Sequence, residues 1–411
     1  MKTFIFLIHL TLLMFVGCSK SKSIPNDHGA ISALQNKTFF DEVGAVKAYN
    51  PNSPYAVSMS ECIYAYEVEK SCVISKLPLL GLGKSNLTIS DILNRTMISH
   101  DFLGVAFRQF LVRLNPEVLQ MFGSVNAIVI SDKINPSFYY SNTGAIYLSG
   151  NYFWSNLEEF KITSQAKDAR EGFGTSLQFT TDHDYLKNGK SINTRAQDQS
   201  RTYDEMVLPV TRLLFHELTH ANDFFPRSVY SSINFNQEKT FADIAFERYS
   251  TSALVSSNMP SKLSSSRLNH FGQVLFRGAD PTALDNSVLA SDIANEFKND
   301  LATDFYSYSS PREDLAMIAE ESLTLYYFNS YRYVVVIKFP YSNYVVPADY
   351  DYPIAWGQKG RVLLPAIKER ALFAISNDLG DVTKQKASLK FETLKTIDIP
   401  ANTPWDLIGN L

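Results

Sequence analysis

Apolar residues recur at helical spacing over Asp91–Met97 and Asp101–Leu114, and Pro116 opens a further helical turn. Residues 125–130 then read Val-Asn-Ala-Ile-Val-Ile, the length and texture of a buried strand. A turn, Ser141-Asn142-Thr143-Gly144, leads into a second strand over Ala145–Ser149, followed by the aromatic cluster Tyr152-Phe153-Trp154. Residues 162–200 are polar, with one strand-like piece near Ser176–Thr181. Tyr203–Phe225 predicts a long helix, halted by Pro226. Residues 239–257 and 287–303 predict two more helices, separated by a polar stretch. Pro311 fits the first turn of a helix that runs to Phe328. A strand-like run follows at Tyr331–Phe339, then a corner at Trp356-Gly357-Gln358, and Val362–Leu379 predicts the last long helix. Helices outnumber strands, and the strands gather ahead of residue 203. That is an α+β plan rather than alternating βαβ units.

Composition narrows the class. The 411 residues are 45% hydrophobic and 13% aromatic, enough apolar material for one large core or two smaller ones. Net charge is −4, with 38 basic and 42 acidic residues and no basic tract, which argues against a nucleic-acid partner. At the N-terminus, Lys2 precedes an apolar run over residues 4–16, shorter than the roughly 20 residues that span a bilayer. The run suits a signal peptide. It ends in Phe15-Val16-Gly17-Cys18, which resembles a bacterial lipobox with Phe15 in place of the usual Leu. The resemblance implies cleavage before Cys18, a lipid on its thiol and an exported, membrane-anchored protein. Ser19 is not acidic, which points to the outer membrane. With Cys18 consumed, Cys62 and Cys72 form an even pair suited to a disulfide in an oxidising compartment.

The candidate chemistry lies in the long helix. Residues 216–220 read His-Glu-Leu-Thr-His, and residues four apart share one helix face. His216 and His220 can therefore offer both imidazoles to one ion at about 2.0–2.1 Å. Glu217 lies within reach of a water on that ion, whose pKa zinc lowers toward 7. A carboxylate there can take the water's proton and hand it to a leaving amine. Leu213, Leu214, Phe215 and Leu218 make the helix apolar on several sides, and burying two His and a Glu among them is costly without a partner. No third His follows at metzincin spacing, where Pro226 stands, so the third ligand falls to a carboxylate. Glu313 opens the Pro311 helix and is the best placed, although acids also favour a helix N-terminus through the macrodipole alone. Glu247, Asp243 and Glu238 are rivals. Asn222 and Asp223 either support a ligating imidazole or cap the helix, and His100, His183 and His270 read as isolated.

Together, His216-Glu217-x-x-His220, a later helix beginning Glu313-Asp314-x-Ala316, and Tyr306 seven residues before Glu313 resemble the gluzincin metallopeptidases, in particular the catalytic domain of the anthrax lethal factor type. The resemblance covers roughly residues 100–330. It implies a zincin-like fold, one zinc per chain on His216, His220 and Glu313, and Tyr306 or Tyr308 as donor to the oxyanion. It also implies a cleft strand, Gly144–Leu148, that pairs with an extended peptide or protein substrate. The group often carries a second acid four residues after the third ligand, where this chain has Met317, with Glu320 and Glu321 as substitutes. The expected organisation is a signal peptide (1–18), a tether (19–36), an irregular N-terminal lobe (37–88), a catalytic domain (89–330) and a C-terminal strand and helix (331–411). A structural zinc site and an amidase acting on cell-wall peptides are the alternative functions.

Overall fold

A computed structural model of the chain describes residues 42–168, 170–193, 200–234, 238–339 and 352–411. Cys18 and the tether lie outside the described residues. Among the described residues, two five-stranded sheets and a set of helices form an α+β structure. The first sheet contains β1 (Lys47–Ala48), β2 (Thr96–Ile98), β3 (Ala127–Ser131), β4 (Phe138–Tyr140) and β5 (Ala145–Ser149). Its order is β1-β2-β3-β5-β4, with β2, β3 and β5 parallel and the two outer strands antiparallel to them.

Both faces of this sheet are covered, so its strands read as unbroken apolar runs rather than alternating ones. Ile98, Ile128, Ile130, Ile146 and Leu148 face the helical core. Met97, Ala127, Val129, Ala145 and Tyr147 pack on the N-terminal lobe against Met59, Cys62 and Leu77. The lobe is therefore built into the sheet, and β1 is one of its strands. A disulfide joins Cys62, at the end of the helix Ala56–Cys62, to Cys72. The Cys72 carbonyl in turn accepts a hydrogen bond from Phe241 N.

The second sheet contains β6 (Phe179–Lys187), β7 (Lys190–Ser191), β8 (Tyr331–Lys338), β9 (Ile354–Lys359) and β10 (Ile397–Ile399). It is antiparallel throughout, in the order β10-β9-β8-β6-β7. Phe179, Val334 and Val336 pack against Phe271 and Phe297, from the helices Ser266–Phe276 and Ala290–Asn299. Tyr333, Val335 and Ile337 pack on the other face with Ile354 and Ile399.

This sheet overturns the expectation that strands gather ahead of residue 203, since three of its five follow the motif. Trp356-Gly357-Gln358 lies within β9 and is not a corner. Gly357 stands opposite Val335, where an added Cβ would come within 2.6 Å of the Val335 side chain. The helix expected over 91–97 begins at Ile89, under a capping box of Thr88 and Asp91, and stops at Leu93. Thr96-Met97-Ile98 extends instead as β2. The polar stretch between 257 and 287 contains the Ser266–Phe276 helix, capped by Ser265. A further helix, Asp381–Phe391, follows Pro365–Leu379 in the C-terminal part.

The motif helix spans Tyr203–Phe224 and starts with a capping box between Thr202 and Glu205. It accommodates Pro209 within its length and ends before Pro226. It packs against the helix Pro311–Phe328, whose first turn is set by Pro311 and by Ser310 Oγ accepting from Glu313 N at 3.2 Å. No helix among the described residues is long and apolar enough to cross a membrane.

Candidate metal centre

These two helices bring His216, His220 and Glu313 together in the interior. His216 Nε2 lies 3.1 Å from Glu313 Oε2, His220 Nε2 lies 3.2 Å from the same oxygen, and the two Nε2 atoms are 3.2 Å apart. Tetrahedral ligands held about 2.0–2.1 Å from one ion are separated by roughly 3.3 Å, so the triangle has the dimensions of one face of such a site. Among the described residues this trio is the group able to hold a metal ion. The rivals are engaged elsewhere. Glu247 pairs with Lys239 at 2.7 Å, Asp243 caps its own helix through Thr240, and Glu238 is exposed.

The proton inventory points the same way. His216 Nδ1 lies 3.0 Å from Glu320 Oε2, and Glu320 Oε1 accepts from Arg212 Nη1 at 2.7 Å. Arg212 holds Glu320 well below the usual carboxylate range against the opposing effect of burial. When the ring is neutral, an ionised Glu320 favours its proton on Nδ1 and leaves Nε2 with a lone pair. That lone pair faces Glu313 Oε2, another acceptor, and two acceptors at 3.1 Å repel unless a cation lies between them. The shifts express the same demand. Burial works against it, but Glu313 and Glu320 push His216 well above the ordinary imidazole value. Burial likewise opposes the shift of Glu313, yet His220 and His216 hold it well below the carboxylate range. A metal ion would take the place of the proton these groups share.

Glu320, three residues beyond Met317 on the same helix, is the acid that contacts His216 Nδ1. The signal for it was present in the sequence, because residues seven apart return to one helix face. If the trio holds a metal ion, replacing Glu320 with Gln is expected to weaken its binding by about 10–100-fold, measured by competition with a chelator. An unchanged affinity would remove it from the site.

Glu217 is buried beside the trio, and its Oε2 has no hydrogen-bond partner. Burial raises its pKa, although His216 and His220 work against this. Tyr306 donates from its hydroxyl to Glu313 Oε1 at 3.1 Å. Its ring stacks on His216 at 6.3 Å between centroids and meets Phe276 edge-on at 4.9 Å. Burial and Glu313 raise its pKa, so the phenol keeps its proton and remains a donor. Tyr308, the alternative, is turned away and donates to Asp300 at 3.1 Å.

A cleft of about 470 Å³ opens onto this floor. Its lining combines Asn135–Phe138 at the start of β4, Thr181–His183 of β6, and Arg170. The Arg170 guanidinium pairs with Asp168 at 2.6 Å and lies 5.7 Å over the Tyr306 ring. Two site expectations change here. The segment Gly144–Leu148 is not the free strand along the cleft, because β5 pairs with β3 on one side and with β4 on the other. Among the described residues the outer strand is β4, whose Phe138 lines the cleft. Asn222 and Asp223 do not cap the helix. Asn222 bonds Leu218 O and Ser124 Oγ, while Asp223 accepts from Ser256 N and Oγ, both at 2.8 Å.

His183 was missed. It stands on the cleft lining with Nδ1 3.3 Å from Asp304 Oδ2. His270 is not isolated either, since it pairs with Asp285 at 3.0 Å, and His100 Nδ1 contacts Ser99 Oγ at 2.9 Å. No known protein family, curated protein or solved structure matches this chain.

Proposed function

We propose that the protein is a zinc-dependent peptidase of the gluzincin type, with a zincin-like fold, that hydrolyses peptide bonds in peptide or protein substrates. The observation that carries this reading is the triangle of His216, His220 and Glu313 donor atoms at the floor of an open cleft, with an unpartnered Glu217 oxygen beside it. Two imidazoles and a carboxylate are a donor set suited to zinc.

Zinc, when bound, supplies a Lewis acid that polarises a carbonyl and lowers the pKa of water toward 7. The residues of the chain do the rest. Glu217 accepts the proton of the attacking water and delivers it to the leaving nitrogen. Its raised pKa suits both halves of that exchange. Tyr306, fixed by His216 and Phe276, turns its hydroxyl from Glu313 to the oxygen that gains charge. Glu320 and Arg212 keep the His216 lone pair aimed at the centre. β4 is the last strand of its sheet among the described residues and its Phe138 lines the cleft, a placement that suits an extended substrate.

The residues around Cys18 and the Cys62–Cys72 disulfide support an exported location, with the lipid on Cys18 as anchor to the outer membrane. Purified protein is expected to carry one zinc per chain and to cleave an unfolded protein substrate. A chelator should abolish cleavage and added zinc should restore it, with purified peptidoglycan as the parallel substrate. Tyr306→Phe should lower kcat by about 10²–10³-fold while zinc content stays unchanged. Cleavage that survives metal removal would refute the reading.

A further inference from the structure

The charges that line the cleft are matched, with one exception. Asp168 faces Arg170 at 2.6 Å, and Glu320 faces Arg212 at 2.7 Å. Asp304 meets the buried Arg332 at 2.5 Å. Glu313 and Glu217 lie beside the two imidazoles, and the two positive charges of the proposed zinc would offset both, including the Glu217 oxygen that has no hydrogen-bond partner. Desolvation in the cleft and the Arg332 guanidinium lower the pKa of the His183 ring, so it adds no charge at neutral pH.

Asp182 is the exception. It lies on β6 opposite Val335 of β8, so a sheet rather than a loop sets its place in the lining. Its side chain is exposed, and Oδ1 accepts from the His183 backbone N–H at 2.8 Å. That bond ties the carboxylate to its own strand and brings no countercharge. Asp184 and Asp304 add negative charge around it, and Arg332, already paired with Asp304, offsets it in part.

A cleft wall of one sign raises the local concentration of the opposite charge and repels its own. A cation that reaches Asp182 gains a charge-assisted hydrogen bond, strengthened where substrate excludes water. An acid at the same place would face three carboxylates, and such like-charge contacts discriminate between ligands. We propose that Asp182 is a specificity-determining residue whose carboxylate pairs with a positive charge on the substrate, so that the cleft selects cationic peptides. A Lys or Arg side chain and a free N-terminal ammonium are two sources of that charge. This rests on the peptidase reading above.

The test measures kcat/KM for native protein, Asp182→Asn and Asp182→Lys. The peptides hold Lys, norleucine or Glu at one position at a time around the scissile bond, each with a free or an acetylated N-terminus. Asn keeps an oxygen that can accept from the His183 N–H, and zinc content checks that each variant is folded. Native protein should favour a charged peptide about 10-fold over its uncharged counterpart, either Lys over norleucine at one position or a free over an acetylated N-terminus. Added salt should shrink that ratio. Asp182→Asn should bring it close to one, and Asp182→Lys should favour Glu at the same position or the acetylated N-terminus. Kd ratios measured with Glu217→Gln should match those of native kcat/KM. A preference that acetylation removes assigns the cation to the N-terminus, and one that survives acetylation assigns it to a side chain. If native protein ignores both charges, or if Asp182→Asn keeps the full preference, Asp182 does not select the substrate while the peptidase reading stands. If native protein shows no zinc-dependent cleavage of any peptide, both fall.

Discussion

Glu217→Gln is expected to retain one zinc per chain and to lose about 10²–10⁴-fold or more in kcat/KM for peptide cleavage. Gln has the volume and polarity of Glu but no basic oxygen, so the variant isolates proton transfer from packing. The position is buried next to His216 and His220, and the Glu217 Oε2 atom bonds to nothing else. The loss therefore has no route through a broken structural contact. Metal analysis and steady-state kinetics on one preparation decide the matter. Zinc retained with activity intact would remove Glu217 from the chemistry. Loss of zinc along with activity would mean that the residue holds the site together instead.

Glu313→Ala is the second large effect, and it acts on the metal. Glu313 Oε2 is the vertex shared by both imidazoles, and its Oε1 receives the Tyr306 hydroxyl. Removing it leaves two ligands on a helix that cannot complete a tetrahedral site. Zinc affinity should fall by more than the 10–100-fold expected of a supporting residue such as Glu320, and dialysed protein should carry well under one zinc per chain. Activity should vanish with the metal. Glu247→Ala, at the exposed rival acid, should leave zinc content unchanged. Full zinc content in Glu313→Ala would place the third ligand elsewhere.

The parts of this arrangement differ in how visible they are in the sequence. The motif helix announces itself through a capping residue, a dense apolar run and a terminal Pro, and Glu313 follows from Pro311 because helix starts have a local grammar. Glu320 was accessible by helical spacing from Glu313 and was overshadowed by the four-residue position held by Met317. The strands were harder. Phe138–Tyr140 is three residues long, too short for any period to show. Thr96–Ile98 continues an apolar pattern that fits a helix equally well until β3 is there to pair with it. The Ser266–Phe276 helix buries only Leu268, Phe271, Gly272 and Val274, so its apolar stripe is thin against polar neighbours. His183 and Asp304 meet only because β6 pairs with β8 and draws Arg332 alongside, and no local pattern encodes that contact.

The proposed third ligand, Glu313, lies 93 residues after His220, beyond three α-helices of the described residues. For a flexible excursion, each doubling of length adds only about 0.6 kcal/mol to the cost of closure. The spacing between the two halves of the centre is therefore nearly free to drift, while the triangle they form is not. Proteins that share this centre need not share its ruler. A search for them is better built on a helix bearing two imidazoles packed against a helix that opens with a carboxylate than on any fixed interval between the two.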